Sequence, residues 1–318
     1  MEKINKERYL IKILKELALE HKLTIRFFCF DWLIELSNPH HKFHILGYDW
    51  AINSATAQAI AKDKSACFEI LKANQVPSIE HFLFLSPEFQ SFIGANGNWK
   101  KIIDFAQKHD NKIVIKSNMG TGGNEVFLVS NQAELEGCVQ ALFSKHRAIA
   151  ICPFYDIHNE YRVILLDEEP LLCYNKIKPF IVGNGENTLL ELILQHKGEF
   201  DLKDIFTQKI DFNIVLLRGK KFELNWKHNL GKGASPEIIA KGEKFDALIE
   251  LAIKASKAIG IRFASIDIAE TEGGLSVMEI NSGIMTENFA QQGDAEYEIA
   301  KNMYRKAIFK TLDSLQGL

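Results

Sequence analysis

The sequence predicts an α+β protein in which strand pairs are flanked by helices. Two stretches, residues 161–177 and 265–281, alternate apolar and polar residues on both sides of a turn, as β-hairpins do. Between them, residues 244–258 repeat their apolar residues at helical spacing. A chain of 318 residues is also long enough to build two or three subdomains around a sizeable core.

The N-terminal part is predicted to form a small α/β unit. Its first helix is amphipathic, and two strand-like runs follow. The apolar helix positions and the two runs are Leu10, Ile13, Leu14, Leu17, residues 23–30 and residues 43–46.

A domain boundary is predicted inside the next helical segment. The helical pattern of residues 55–73 is interrupted after Lys62, where Asp63 or Ser65 could cap the second piece. We therefore expect an N-terminal domain of residues 1–62 and a second domain of residues 63–318.

The second domain is predicted to continue as strands and helices. The predicted elements are, in order, a strand at 81–85, a helix at 99–109, strands at 112–116 and 125–129 around a glycine-rich turn, a helix at 132–145, a strand at 148–151, the hairpin at 161–177, a helix at 189–195, a strand at 213–217, the helix at 244–258, the hairpin at 265–281 and a helix at about 295–315.

Composition narrows the classes of function. The formal net charge of -3 and the pI near 6.4 provide no electrostatic argument for binding nucleic acid. No run approaches the roughly twenty apolar residues that span a bilayer, so we expect no membrane segment. The five cysteines are odd in number, scattered and without a CxxC pair. This pattern indicates buried, reduced thiols and a cytoplasmic location.

The second hairpin carries a candidate metal site. If Gly273 is the centre of its turn, Asp267 lies opposite Glu279. Ser265 then lies opposite Asn281, and because side chains two apart share a face, both carboxylates and the amide point the same way. Such oxygen ligands suit a Mg²⁺ ion that also holds phosphates. The alternative is a solvated acidic hairpin, but the apolar residues around these side chains favour a buried or cleft-lining position.

Positive charge near a glycine-rich turn forms a second candidate site. Lys116 ends an apolar strand and is followed by Gly120, Gly122 and Gly123, which would let backbone N–H groups approach a phosphate. The spacing is not that of a P-loop, and a simple hairpin turn is the alternative. Further cations, each of which alone would be explained as a solvated charge, are Lys64, Arg162, Lys176, Lys178, Lys227 and His228.

Taken in chain order, these segments resemble the ATP-grasp ligases. The branch that they resemble most contains the ribosomal-protein glutamate ligases, the glutathione synthetases and cyanophycin synthetase. The resemblance spans about residues 53–310. The segments that carry it are AKDKSACFEILKANQVPS, VIKSNMGTGGNEVFLV, NEYRVILL, KIKPFIVGNGENTLLELI, KHNLGKGA and SIDIAETEGGLSVMEIN.

The resemblance implies an ATP-grasp fold, in which two α+β subdomains grip the nucleotide behind the small N-terminal domain. Residues 63–153 would form the subdomain with the phosphate-covering loop, and residues 154–318 the subdomain with the metal hairpin.

The resemblance also implies roles for individual residues. The expected cofactor-binding residues are Lys64, Lys116, Gly120, Gly122 and Gly123 at the ATP phosphates, Cys152 and Phe154 at the adenine hinge, and Glu160 at the ribose. The expected ligands of two Mg²⁺ ions, which Mn²⁺ could replace, are Asp267, Glu279 and Asn281. The residues expected near the transferred phosphate or the acyl substrate are Arg162, Lys176 and Lys227.

The chain departs from the family pattern at several positions. Pro153 stands where an acidic residue usually opens the hinge, and Glu125 replaces a frequent glycine of the phosphate loop. Lys176 replaces an arginine, which removes a bidentate fork. Residues 282–284, Ser-Gly-Ile, replace a usual Pro-Gly after the metal-binding asparagine. The last two departures lie toward the acceptor side and therefore concern the substrate more than ATP.

By this resemblance the protein is expected to be an ATP-dependent carboxylate–amine ligase that works through an acylphosphate. The expected partners are small carboxylates and amines, such as an amino acid or a peptide, and a protein tail or a homodimer is compatible with the sequence. Two alternatives stay open, a phosphotransferase of the same fold and a non-catalytic nucleotide-binding protein.

Overall fold

The computed structural model describes residues 7–93, 99–120, 122–123, 125–196, 210–224 and 228–316. The N-terminal part is one helix packed on an antiparallel four-stranded sheet in the order β1-β2-β3-β4. Its elements are α1 (Tyr9–Glu20), β1 (Thr24–Phe28), β2 (Leu33–Ser37), β3 (Lys42–Leu46) and β4 (Asp49–Trp50).

Two features of this sheet differ from the prediction. Strand β1 ends at Phe28 because Cys29, Phe30 and Asp31 all have positive φ angles, of 52°, 54° and 64°. Strand β2 was not predicted. It carries Glu35 at its centre, on the outer face of the sheet, where Arg26 and His44 from the neighbouring strands bind the carboxylate.

The predicted interruption of the next helical segment is confirmed. Helix α2 (Ala55–Lys62) and helix α3 (Lys64–Ala73) are separated by Asp63, whose side chain accepts a hydrogen bond from Ala66 N at 2.8 Å. Asp63 is therefore the cap of the second piece.

A second antiparallel sheet follows, in the order β5-β8-β6-β7. Its elements and helices are β5 (Phe82–Leu85), α4 (Gln90–Ile93), α5 (Trp99–Lys108), β6 (Ile113–Ser117), β7 (Val126–Val129), α6 (Gln132–Phe143) and β8 (Ala148–Pro153). Ile113, Ile115 and Ile151 pack in the core with α5 and α6. The alternate residues of β6 and β8, such as Val114 and Cys152, face the other way because side chains alternate along a strand.

The third part is built on a five-stranded antiparallel sheet, the central sheet, in the order β13-β10-β9-β14-β15. Its elements are β9 (Asn159–Leu166), β10 (Glu169–Ile177), β11 (Phe180–Val182), α7 (Leu189–Gln195), β12 (Lys221–Glu223), β13 (Ser235–Ile238), α8 (Glu243–Ile259), β14 (Phe263–Thr271), β15 (Gly274–Asn281), α9 (Glu287–Ala290) and α10 (Asp294–Gln316).

The prediction of a strand at residues 213–217 is wrong. Only an isolated bridge joins Val215 to Thr188. The carbonyl groups of this segment instead accept hydrogen bonds from the start of α7 and from the preceding turn, with Leu189 N donating to Ile214 O at 2.8 Å and Gly185 N to Leu216 O at 3.1 Å. Of the apolar residues that suggested a strand, Leu216 packs against α7, whereas Ile214, Val215 and Leu217 are exposed.

The two faces of the central sheet are buried by different parts of the chain. Helices α2, α3 and α8 cover one face. On the other face, α1, the N-terminal sheet and α10 share one apolar cluster with the strands. Trp50 lies at the centre of that cluster, with its ring centroid 5.7 Å from that of Tyr304 and 5.5 Å from that of Phe263.

The hairpin β14–β15 has the predicted register near its open end. Asp267 pairs with Glu279 and, two pairs further along, Ser265 pairs with Asn281. The turn itself is shifted, because Thr271 pairs with Gly274, and a bulge at Met278 restores the expected pairs. Two deviations from the predicted geometry therefore cancel.

Candidate active site

A cleft of about 650 Å³ lies between the second sheet and the central sheet. Every predicted site residue that the structure describes lines it. These residues are Lys64, Lys116, Gly120, Gly122, Gly123, Cys152, Phe154, Glu160, Arg162, Lys176, Asp267, Glu279 and Asn281. Lys227, the remaining predicted residue, lies outside the described residues.

Strand register brings the charged residues of the central sheet to one face. Arg162 on β9 pairs directly with Asp267 on β14 and with Tyr174 on β10. Glu160 lies two residues before Arg162 and therefore points the same way. This face also carries core residues further along the strands, so the cleft is the part that the N-terminal sheet leaves uncovered.

Asp267 is the centre of a buried ion-pair network. Arg162 donates from Nε to Oδ1 and from Nη2 to Oδ2, both at 2.7 Å. Lys176 Nζ lies 3.0 Å from Asp267 Oδ1 and also donates to Glu160. Burial alone would raise the pKa of Asp267, but the charges of Arg162 and Lys176 outweigh it and lower this pKa to about 2. Asp267 is therefore a carboxylate under all physiological conditions.

For Glu160, the effect of burial on the carboxyl pKa is larger than that of the neighbouring positive charge. Burial raises the pKa of its carboxyl group, and the attraction of Lys176 only partly offsets this effect. The Lys176 side chain is 5% exposed and that of Glu160 8%, so the pair is shielded from solvent. Lys176 thus serves both carboxylates with one compact ammonium group.

Lys64 connects the two halves of the cleft. It is the first residue of α3, and its Nζ lies 3.0 Å from Glu279 Oε1 and donates to Gly120 O at 2.5 Å. Lys64 is 8% exposed, so its ammonium is held at the boundary between the glycine-rich loop and the hairpin. A phosphate placed there would meet a positioned cation.

The glycine-rich loop is attached to the second half by Asn229. Asn229 Nδ2 donates to Gly122 O at 3.0 Å. Gly123 has a φ of +70°, and a Cβ atom on it would come within 2.8 Å of the same nitrogen. Glycine is therefore required at this position for conformation and for space.

Glu125, the departure from a family glycine, keeps the backbone conformation of glycine. Its φ is +54°, and its carboxylate binds Lys145 at 2.9 Å and His146 at 2.5 Å. Hydrogen bonds from Lys145 and His146 lower the pKa of Glu125. These contacts hold the side chain at the base of α6, away from the cleft.

The other part of the cleft is apolar. Val114, Cys152 and Met278 come together there with Phe154 and Tyr155. The bulge in β15 adds Met278 to this surface next to Glu279. Burial raises the pKa of the Cys152 thiol, which makes it an unreactive wall residue. Such a surface suits a flat aromatic base.

The chemistry of the donor set fits a Mg²⁺ ion that is shared with phosphates. Asp267, Glu279 and Asn281 offer hard oxygen atoms on one face of the hairpin. Among the described residues, no three His, Cys, Asp or Glu side chains come together, so an ion here would draw its remaining ligands from substrate and water. Arg162 occupies both oxygens of Asp267, and a metal ion would share or displace it.

Sequence reasoning missed one end of the cleft. The residues there that carried no recognisable motif are Trp32, Leu46, Tyr48, Asp49, Lys62 and Met285. They come from three distant segments. The only signal in the sequence was the unusual Ser-Gly-Ile at residues 282–284, because Ser282 Oγ donates to Asp49 and Ile284 N to Tyr48 O.

Removing Arg162 is expected to destabilise the protein itself. Arg162→Ala leaves a buried carboxylate without its main partner, at a cost of about 3–5 kcal/mol in the free energy of unfolding. Urea denaturation without nucleotide measures the change.

The matched control for Arg162→Ala is Arg262→Ala, which breaks an equally bidentate pair with Asp167 at a more exposed position. That change should cost about 1 kcal/mol or less. Equal losses in the free energy of unfolding in the two variants would contradict the expectation that burial makes the Arg162 pair more costly to break.

Comparison with known proteins finds similarity to ATP-grasp proteins over parts of the chain. A family model described as a RimK-like ATP-grasp domain matches residues 210–306. The glutathione biosynthesis bifunctional protein GshAB of Clostridium perfringens is 25% identical over 233 residues, which cover 67% of this chain and 30% of that protein. Cyanophycin synthetase of Trichormus variabilis is 24% identical over 254 residues, covering 73% of this chain and 26% of that protein.

A shorter and stronger match is to the tetrahydromethanopterin:alpha-L-glutamate ligase of Methanocaldococcus jannaschii. It is 35% identical over 80 residues, which cover 25% of this chain and 26% of that protein. The chain thus spans less than a third of the length of these curated relatives.

Solved structures show the same fold. A bifunctional glutathione synthetase from Pasteurella multocida superposes with a TM-score of 0.54 at 15% identity, covering 90% of this chain and 41% of that one. A D-alanine–D-alanine ligase from Bacillus anthracis complexed with ATP gives 0.50 at 14% identity, covering 80% and 71%. The ATP-grasp fold expected from the sequence is confirmed. Among the described residues, the structure has no helix that could span a bilayer.

Proposed function

We propose that this chain, which has the ATP-grasp fold and carries a RimK-like ATP-grasp domain, is an ATP-dependent carboxylate–amine ligase. One observation carries the proposal. The lysines of the first half of the cleft and the acidic hairpin of the second half meet in one space, where Lys64 contacts Glu279 directly. An enzyme that brings a carboxylate to a triphosphate needs this combination of cations and metal-binding oxygens.

The proposed reaction has two steps. A carboxylate oxygen of the first substrate attacks the γ-phosphorus of ATP, the bond from that phosphorus to the β,γ-bridging oxygen breaks, and ADP leaves with the bonding electrons. The nitrogen of an amine then attacks the acyl carbon, the C–O bond to phosphate breaks, and the amine loses a proton. The products are an amide, ADP and inorganic phosphate, and no protein nucleophile is needed.

The order of residues along β15 suggests how ATP lies in the cleft. Met278 belongs to the apolar part, Glu279 and Asn281 follow, and Ser282 leads to the N-terminal sheet. We propose that the base lies against the apolar part with its triphosphate directed toward Glu279, so that the reacting phosphate lies between Lys64 and Arg162.

In this arrangement the protein contributes charge and position. Lys64 and Lys116 neutralise phosphate oxygens, and the loop with Gly122 and Gly123 lets backbone N–H groups approach them. Asp267, Glu279 and Asn281 would hold Mg²⁺, which, when bound, neutralises the phosphates and polarises the transferred group. Arg162, whose guanidinium lies beside Asp267 in the cleft, would supply positive charge to the transferred phosphate.

The proposal is tested by measuring ADP and phosphate together. The purified protein is incubated with Mg-ATP and pooled amino acids, dipeptides and other small carboxylates. Equal amounts of ADP and phosphate are expected, only when a carboxylate and an amine are both present, with a new amide found by mass spectrometry.

Two other results would replace the proposal. ADP without free phosphate, together with a phosphorylated product, would indicate a phosphotransferase. Stabilisation of the protein by Mg-ATP without any ADP would indicate a nucleotide-binding protein.

A further inference from the structure

The N-terminal end of the cleft consists of Trp32, Leu46, Tyr48, Asp49, Lys62 and Met285. It begins directly after the candidate metal ligands. Gly283 pairs with Asp49, whose Oδ1 accepts a hydrogen bond from Ser282 Oγ at 2.7 Å. Met278 and the apolar base surface lie on the opposite side of Glu279. The N-terminal end therefore lies where a group bound beyond the reacting phosphate would extend.

The walls of this end are apolar and half-exposed. Trp32 is 52% exposed, Leu46 54% and Met285 46%. Apolar side chains that line a cleft beside a reaction site gain free energy when a ligand removes them from water. Trp32 and Leu46 from the N-terminal sheet and Met285 from the segment after β15 make a surface that complements an apolar group.

The Trp32 ring is held in place by contacts with Gly47 and Arg8. Its ring packs on Gly47, where a Cβ atom would come within 2.6 Å of the ring. Arg8 lies 5.4 Å from the Trp32 ring centroid and 5.2 Å from that of Tyr48, and its Nη1 donates to Gly47 O at 3.3 Å. A positioned aromatic ring of this kind binds a ligand with little loss of conformational freedom.

The charged residues of the N-terminal end neutralise each other. Lys62 Nζ lies 2.5 Å from Asp49 Oδ2, while Ser282 binds the other oxygen. Because this pair is internally balanced, it offers no excess charge to select an acidic or a basic side chain. The recognition that this end supplies is therefore mainly apolar.

We propose that the N-terminal end of the cleft binds the bulky apolar or aromatic side chain of a free α-amino acid. This inference rests on the proposed function, because it identifies the substrate class of the same site. An amino acid with a small or charged side chain would leave Trp32, Leu46 and Met285 in contact with water and would bind more weakly.

The test combines turnover with binding. Phosphate release is measured with Mg-ATP and all pairs drawn from Leu, Phe, Trp, Met, Gly, Ala, Glu, Asp, Lys and Arg. Binding of the same amino acids is measured by calorimetry in the presence of Mg²⁺ and a non-hydrolysable ATP analogue. We expect turnover only when one of the two amino acids is bulky and apolar. Trp32→Ala should raise the KM and the Kd of that apolar amino acid at least about 10-fold. The KM for ATP should not change.

The matched control is Trp99→Ala, the same substitution at a partly exposed tryptophan outside the cleft, which should change neither constant. Two results would overturn the inference and leave the ligase proposal intact. One is that kcat/KM is highest for pairs of amino acids with charged or small side chains. The other is that Trp32→Ala leaves the KM and Kd of the apolar amino acid unchanged. Tight, Trp32-dependent binding of apolar amino acids without turnover, either in these pairs or with the wider pool of carboxylates, would support the inference and overturn the ligase. Neither binding nor turnover with these amino acids would overturn the inference, and the ligase proposal would then be decided by the wider pool of dipeptides and small carboxylates.

Discussion

Replacing Glu279 by alanine is expected to abolish amide formation while leaving the fold intact. Glu279 is a proposed metal ligand, and its Oε1 lies 3.0 Å from Lys64 Nζ, so its loss would weaken metal binding and release a proposed phosphate-binding cation. Because such contacts stabilise charge that develops in the transition state, kcat should fall by about 10²–10³-fold or more. Rates of ADP formation measured over a range of Mg²⁺ concentrations test this, and the concentration needed for half-maximal rate should rise.

The control for Glu279→Ala is Glu272→Ala in the turn of the same hairpin. Glu272 is exposed and does not line the cleft, so its removal changes the net charge equally without touching the site. Thermal denaturation of both variants should match that of the wild type within a few degrees. Undiminished ADP formation in Glu279→Ala would refute the metal assignment.

Replacing Trp50 by alanine is expected to cause a large loss of stability. Trp50 is fully buried and stacks on Tyr304 from the C-terminal helix, with Phe43 on the N-terminal sheet and Phe263 on the central sheet completing its surroundings. Alanine leaves a large cavity where three parts of the chain meet, at a cost of about 3–5 kcal/mol. The midpoint of urea denaturation measures this loss.

A matched variant separates packing from polarity at this position. The Trp50 Nε1 group is buried without a hydrogen-bond partner, so Trp50→Phe keeps most of the ring contact and removes an unsatisfied donor. It should be far less destabilising than alanine. Leu19→Ala, at a residue that is 84% exposed, should be nearly neutral. An unchanged denaturation midpoint in Trp50→Ala would show that the N-terminal sheet does not share a core with the rest.

Much of the site could be predicted because its information is local. Asp63 is recognisable as a cap from the residues beside it. Strand alternation predicted the pairing of Asp267 with Glu279, which holds because the shifted turn and the bulge at Met278 cancel. The prediction of a strand at residues 213–217 was wrong because the outcome there depended on contacts outside the segment. Within this apolar run Leu216 is buried against α7 and its apolar neighbours are exposed, so the surrounding contacts and not the apolar pattern decide whether a strand forms.

By itself, the sequence determined the order of the motifs and the types of ligand in the cleft, because these depend on residue identity and on spacing within one element. The tertiary structure decided which charges neutralise each other, such as Arg162 on Asp267, and it brought Trp32 within the same cleft as Met285. These residues are far apart in the chain and belong to different elements. Their contacts follow from how packed sheets and helices are oriented, which no spacing along the sequence encodes.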